Sequence, residues 1–161
     1  MSNYDKFDEY KFLVDDTARI TDRRQNTSNT YITINSILLA AITFLFTEKD
    51  IQVFVLIAVA VIIMFIGLLI CTAWKNEIDG YRNLLSVRFD VLREMEEHPE
   101  MADSVKVYHR EDILFPRDEN GKIISTKGVF SKVERSLPQI FMGLYVMLAA
   151  IIIIASLLGF H

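Results

Sequence analysis

Residues 51–74 read IQVFVLIAVAVIIMFIGLLICTAW, 24 consecutive positions without a charge. As a helix rising about 1.5 Å per residue, the stretch is about 36 Å long, enough to cross a hydrocarbon core of about 30 Å with some tilt. A core helix of a water-soluble protein keeps a polar face over such a length, and this stretch has none. It is a membrane span, and the rest of the chain is read outward from it.

Residues 137–160 form a second uncharged block, and Tyr31 to Phe46, YITINSILLAAITFLF, a shorter third one. The thirty residues before Tyr31 mix acidic with basic side chains and are too long for the n-region of a signal peptide, and no A-x-A site follows the run. The 161 residues are 52% hydrophobic with a net charge of −4, but the apolar residues are gathered into these blocks. The expectation is an all-α membrane protein with three transmembrane helices. An amphipathic N-terminal helix (1–28) leads into a tight transmembrane hairpin (29–74). A mainly helical region (75–136) with a hairpin-like loop follows, and a third span (137–161) closes the chain.

Lysine and arginine set the orientation. Lys6, Lys11, Arg19, Arg23 and Arg24 precede the first span, Lys49 alone lies in the TEKD link, residues 75–135 are rich in both, and none follows the third span. This predicts a cytoplasmic N-terminus and long loop and an external C-terminus.

In Asn3–Gln25, Phe7, Tyr10, Val14, Ala18 and Thr21 recur at helical spacing. Neither proline nor glycine separates this segment from the first span, so one long helix is expected. The link Thr47–Asp50 predicts a tight antiparallel turn, with Asp50 as N-cap of the second span. A turn centred on Glu48 and Lys49 puts Trp74 level with Arg23, Cys71 with Asn26 and Gly67 with Thr30. The polar stretch Asn26 to Thr30 would then lie at membrane depth.

One face of the first span is small or polar throughout: Asn26, Asn29, Thr33, Ser36, Ala40, Thr43 and Thr47 follow at steps of three and four, while Leu38, Ile42 and Leu45 fall elsewhere. Such a stripe serves as a helix–helix seam, where hydroxyls and amides bond across, or as the wall of a water-filled pore or vestibule with Arg23 and Arg24 at its cytoplasmic mouth. Gly67 with Cys71, and Ala155 with Gly159, are small pairs suited to close packing.

Beyond the second span, Trp74, Ile78, Tyr81, Leu85, Leu92 and Met95 share a face, with Leu84 and Val91 beside it. That face must bury against the N-terminal helix or a neighbouring subunit. His98-Pro99 should end the helix. Asn120-Gly121 within ILFPRDENGKIIS (113–125) suggests a small β-hairpin. Ser131 and Glu134 form a capping box for a short interfacial helix that bends near Pro138 into the third span.

No catalytic constellation is visible. His98, His109 and His161 are not spaced as ligands, and Glu96-Glu97 and Glu111-Asp112 read as solvated faces. The single Cys71 allows no disulfide and no thiol metal site. The sequence predicts no enzyme, cofactor, metal or nucleic-acid partner. The spans hold no ionisable residue well inside the membrane, which places passive conduction or scaffolding ahead of ion-coupled transport.

Three pieces, YKFLVDDTARITDRRQNTSNTYITINSILL, AWKNEIDGYRNLLSVRFDVLREMEE and FSKVERSLPQIFMGLYVML, resemble in order and spacing the RipA family of small bacterial membrane proteins, which are described as octameric. The residues that carry the likeness are Trp74, Ile78, Tyr81, Arg82 and Leu84, then Glu134, Pro138 and Phe141. The first two pieces are also similar to SLATT domains, membrane effectors thought to form pores. The resemblance implies a homo-oligomer, an octamer, in the bacterial inner membrane. Two functions are then expected: an oligomer enclosing a pore lined by the first span, or a non-conducting scaffold that recruits a partner through its cytoplasmic helices. Lipid and further copies of the chain are the expected partners, with a cytoplasmic partner open.

Overall fold

The computed structural model describes residues 6–47, 52–101, 106–114 and 129–158. The chain is helical throughout these residues: α1 (Lys6–Leu45), α2 (Val53–Glu96), a 3-10 turn (Pro99–Met101), α3 (Val107–Leu114) and α4 (Val129–Leu157). Three of the helices are long and apolar enough to cross a membrane. Absence of proline and glycine makes the N-terminal segment and first span one uninterrupted helix of 40 residues.

The chain divides into two compact units, Met1–Gln25 with Asp79–Val133, and Asn26–Ile78 with Glu134–His161. In the second unit, Ile42, Met64, Cys71 and Tyr145 form the centre of the core, with Leu38, Leu68, Phe141 and Ala149 packed against it. Gly67 is needed there because a Cβ would overlap the Tyr145 ring. The glycine thus accepts an aromatic ring rather than a close helix backbone. In the first unit the buried residues include Thr17, Ile20, Leu85, Leu92, Glu96 and Met101.

Four local expectations change. Within Lys6–Gln25 the buried positions are Thr17 and Ile20, while Ala18 and Phe7 are exposed. The polar Thr17 can turn inward because its hydroxyl donates to the Leu13 carbonyl at 2.7 Å. On α2, Leu84 and Val91 are exposed and do not reinforce the face of Leu85 and Leu92. Gln52 occupies the cap position of α2, its carbonyl accepting from the Val55 and Leu56 amides; Asp50 lies outside the described residues. Finally, α4 begins at Val129, ahead of Ser131, and is one helix through the buried Pro138. Ile113 and Leu114 end α3, the described residues contain no strand, and the rest of the expected hairpin lies outside them.

Candidate functional site

The polar residues of the first span sort into two sets. Ser28, Tyr31 and Asn35, spaced by three and four, are all bonded to other helices. Ser28 Oγ donates to Glu134 Oε1 at 3.0 Å, and the Tyr31 hydroxyl donates to Glu77 Oε2 at 2.9 Å. Asn35 is fully buried and satisfied: Nδ2 donates to the Tyr31 carbonyl at 2.8 Å, and Oδ1 accepts from the Tyr145 hydroxyl at 3.0 Å and from Cys71 Sγ at 3.2 Å. This knot joins α1, α2 and α4 where an unpaired amide in an apolar surround would cost several kcal/mol. Beside it, Tyr31 stacks on Trp74 with ring centroids 5.7 Å apart, and Trp74 meets Phe141 at 6.0 Å. Trp74, Glu134, Pro138 and Phe141, residues that carried the family resemblance, therefore build the polar and aromatic interior of one unit.

The second set is the predicted stripe. Asn26, Asn29, Thr33, Ser36, Ala40, Thr43 and Thr47 are all exposed. Thr33 and Thr43 donate to carbonyls of their own helix, those of Asn29 and Leu39, at 2.9 and 3.0 Å. Among the described residues, no hydrogen bond engages the Asn26, Asn29 or Ser36 side chains. Arg23 is exposed, and Arg24 is half-buried.

The expected depth of the stripe is corrected by the register. Cys71 is level with Asn35 rather than Asn26, and Trp74 with Tyr31 rather than Arg23. The difference is about nine residues, on the order of 13 Å along a helix. By this register Leu45 is level with about Val61, so α2 starts about two turns outside the end of α1, and the two helix ends are staggered rather than level. Asn26 and Asn29 accordingly lie past Tyr31 and Glu77, at the polar end of the span. Thr33, Ser36, Ala40 and Thr43 remain beside the apolar length of α2.

The predicted packing face on α2 is buried at Trp74, Ile78, Leu85 and Leu92 and half-buried at Tyr81. It is extended by two polar groups, Arg88 and Glu96. Arg88 pairs with Asp16 at 2.9 Å. Glu96, expected on a solvated face, is fully buried, and its carboxylate accepts from the Tyr108 and His109 amides at 3.0 Å each, and from the Tyr10 hydroxyl at 2.9 Å. It caps the N-terminus of α3 from a different helix. His109 Nδ1 lies 2.8 Å from Glu96 Oε2 and Nε2 3.2 Å from Glu97 Oε1. Burial pushes the Glu96 carboxyl up, but the four hydrogen bonds outweigh it and hold the group below the usual carboxylate range. The two carboxylates in turn raise the His109 imidazole above its ordinary value, against a smaller loss from burial. The Tyr10 hydroxyl is raised by burial and by its bond to Glu96.

The missed residues Ser28, Tyr31, Asn35 and Glu96 left one signal in the sequence. The first three recur at steps of three and four, in phase with Ile42, but the longer small and polar stripe has the same spacing and obscures them. Among the described residues, no group of histidine, cysteine and carboxylate side chains is placed to hold a metal ion.

Three apolar helices tied together by interhelical hydrogen bonds define a multi-pass integral membrane protein. The model of the octameric membrane protein family (8xMP) matches residues 7–154, nearly the whole chain, and the protein belongs to that family. It is thus an oligomeric integral membrane protein. No curated protein and no solved structure matches the chain. The likeness to SLATT domains rests on the sequence pieces alone.

Proposed function

We propose that the assembled protein encloses a pore or vestibule, walled by Thr33, Ser36, Ala40 and Thr43 of α1. Asn26, Asn29 and Arg23 stand at its mouth. The observation that carries this reading is the sorting of polar residues on α1. Ser28, Tyr31 and Asn35 each find a partner on another helix, whereas the stripe is exposed and, among the described residues, bonded at most to its own helix. A face that is small and polar over about three turns gains nothing from lipid, and water in an enclosed space solvates it. By the lysine and arginine asymmetry the mouth opens to the cytoplasm of a bacterial inner membrane, in an eightfold assembly as the family's name has it.

Cysteine accessibility tests the reading in membranes. A Cys71→Ser background keeps a hydroxyl donor for Asn35. Single cysteines replacing Thr33, Ser36 and Thr43 should react with a small charged thiol reagent, and cysteines replacing Leu38 and Ile42 should stay protected. Uniform protection would remove the wet wall and leave the second reading, a scaffold whose stripe is a dry seam.

A further inference from the structure

Past Trp74, α2 runs on for more than five turns, and its exposed residues there sort by chemistry. Asn83, Ser86, Asp90 and Glu94 form one line. Leu84, Val87 and Val91, at 44%, 60% and 37% exposure, form the next, at the three–four spacing of a helix-packing seam. Val91 is 17 residues beyond Trp74, about 25 Å along the helix, which is out of reach of the hydrocarbon core. Lipid therefore does not cover this line, and Leu84, Val87 and Val91 are exposed among the described residues.

Gly80 continues the line by one turn. A glycine inside a 44-residue helix weakens it, yet nothing lies within 4 Å of where a Cβ on Gly80 would sit. Nothing among the described residues asks for its smallness; a helix approaching from outside would. The same steps of three and four, read back along α2, pick out Asn76, Ala73, Leu69, Ile66, Ile62 and Val59, all exposed. Apart from Asn76, one phase of the helix thus carries small or apolar residues from the membrane-spanning length into the water-side length.

A partner that follows this phase must itself cross the membrane and stay helical well beyond it. A peripheral soluble protein would meet only Leu84 to Val91, and lipid only the stretch up to Ala73. The helices α1 and α2, of 40 and 44 residues, have the required length and mixed character. We infer that the line Gly80, Leu84, Val87 and Val91 is a subunit interface, occupied by a long helix of a second copy of this chain. This rests on membership of the octameric family and not on the pore reading. A dry assembly would use the same line.

The full-length protein in its membrane supplies the test. A photo-reactive phenylalanine analogue in place of Val87 or Val91 should give an adduct of twice the chain mass, and the analogue in place of Asn83 or Glu94 should give little. In parallel, Gly80→Leu adds bulk only to open space in the protomer. It should leave helix content unchanged while shifting the native mass in mild detergent from the assembly to monomers or small species. Leu84→Glu with Val87→Glu should do the same. Adducts only to lipid or to another protein, equal crosslinking from both lines, or an unchanged assembly mass in both variants would each overturn the proposal.

Discussion

The ring of Tyr145 fills the space that a side chain on Gly67 would need, and this close fit is what brings the Tyr145 hydroxyl to Asn35 Oδ1 at 3.0 Å. The two features separate experimentally. Gly67→Ala should displace the ring and break the bond together, costing about 1–3 kcal/mol as overpacking does. Tyr145→Phe keeps the ring in place and removes one interhelical bond, worth about 0.6–2 kcal/mol in a membrane. Thermal unfolding in mild detergent should rank Gly67→Ala below Tyr145→Phe, and both below the parent. A Gly67→Ala protein as stable as the parent would refute the fit.

The grip of Glu96 on α3 should depend on pH in both directions. The depressed Glu96 contributes stability that is present above its ordinary value of 4.5 and is lost as pH falls through its lower folded value. The raised His109 contributes stability that is complete below its ordinary value of 6.5 and is lost as pH rises through its higher folded value. Protection of the Tyr108 and His109 amides from hydrogen exchange should therefore be greatest in between and fall on either side. Glu96→Gln should lower the His109 titration midpoint, because one of its two carboxylates is then neutral. An unmoved midpoint would mean that Glu97 alone sets it.

Length and uninterrupted apolar composition made the three spans legible, and the absence of helix breakers before Tyr31 made α1 legible as one helix. Register was not legible. A continuous apolar block such as residues 51–74 carries no phase mark, and link length predicts level helix ends, whereas the start of α2 is staggered by about two turns past the end of α1. The inward face of α1 was hidden for a related reason. Its key positions, Thr17, Ser28 and Asn35, are polar residues whose bonds are made by remote partners or by their own helix. Glu96 was hidden because an acidic pair near a helix end resembles a solvated surface until α3 folds back onto it.

Topology yields a direct prediction. With the N-terminus in the cytoplasm, reporter fusions inserted in the link at Lys49 and after His161 should both report the external side. A cytoplasmic signal after His161 would contradict three crossings, and signals inverted at both sites would reverse the mouth proposed for the pore.

The two arginines at that mouth should behave differently. Arg23 is exposed, so it adds positive charge where an ion would enter and does little for the fold. Arg24 is half-buried, with its Nε screened from solvent, and its loss should act through stability as well as charge. In a conducting assembly a ring of Arg23 side chains concentrates anions, an effect that weakens as salt screens it beyond a Debye length of about 10 Å at 0.1 M. Arg23→Gln should thus shift reversal potentials toward cation preference at low salt, with the assembly mass and thermal stability unchanged. Arg24→Gln should lower thermal stability first. If Arg23→Gln leaves ion preference unchanged in a protein that does conduct, the arginine anchors topology and the mouth lies elsewhere.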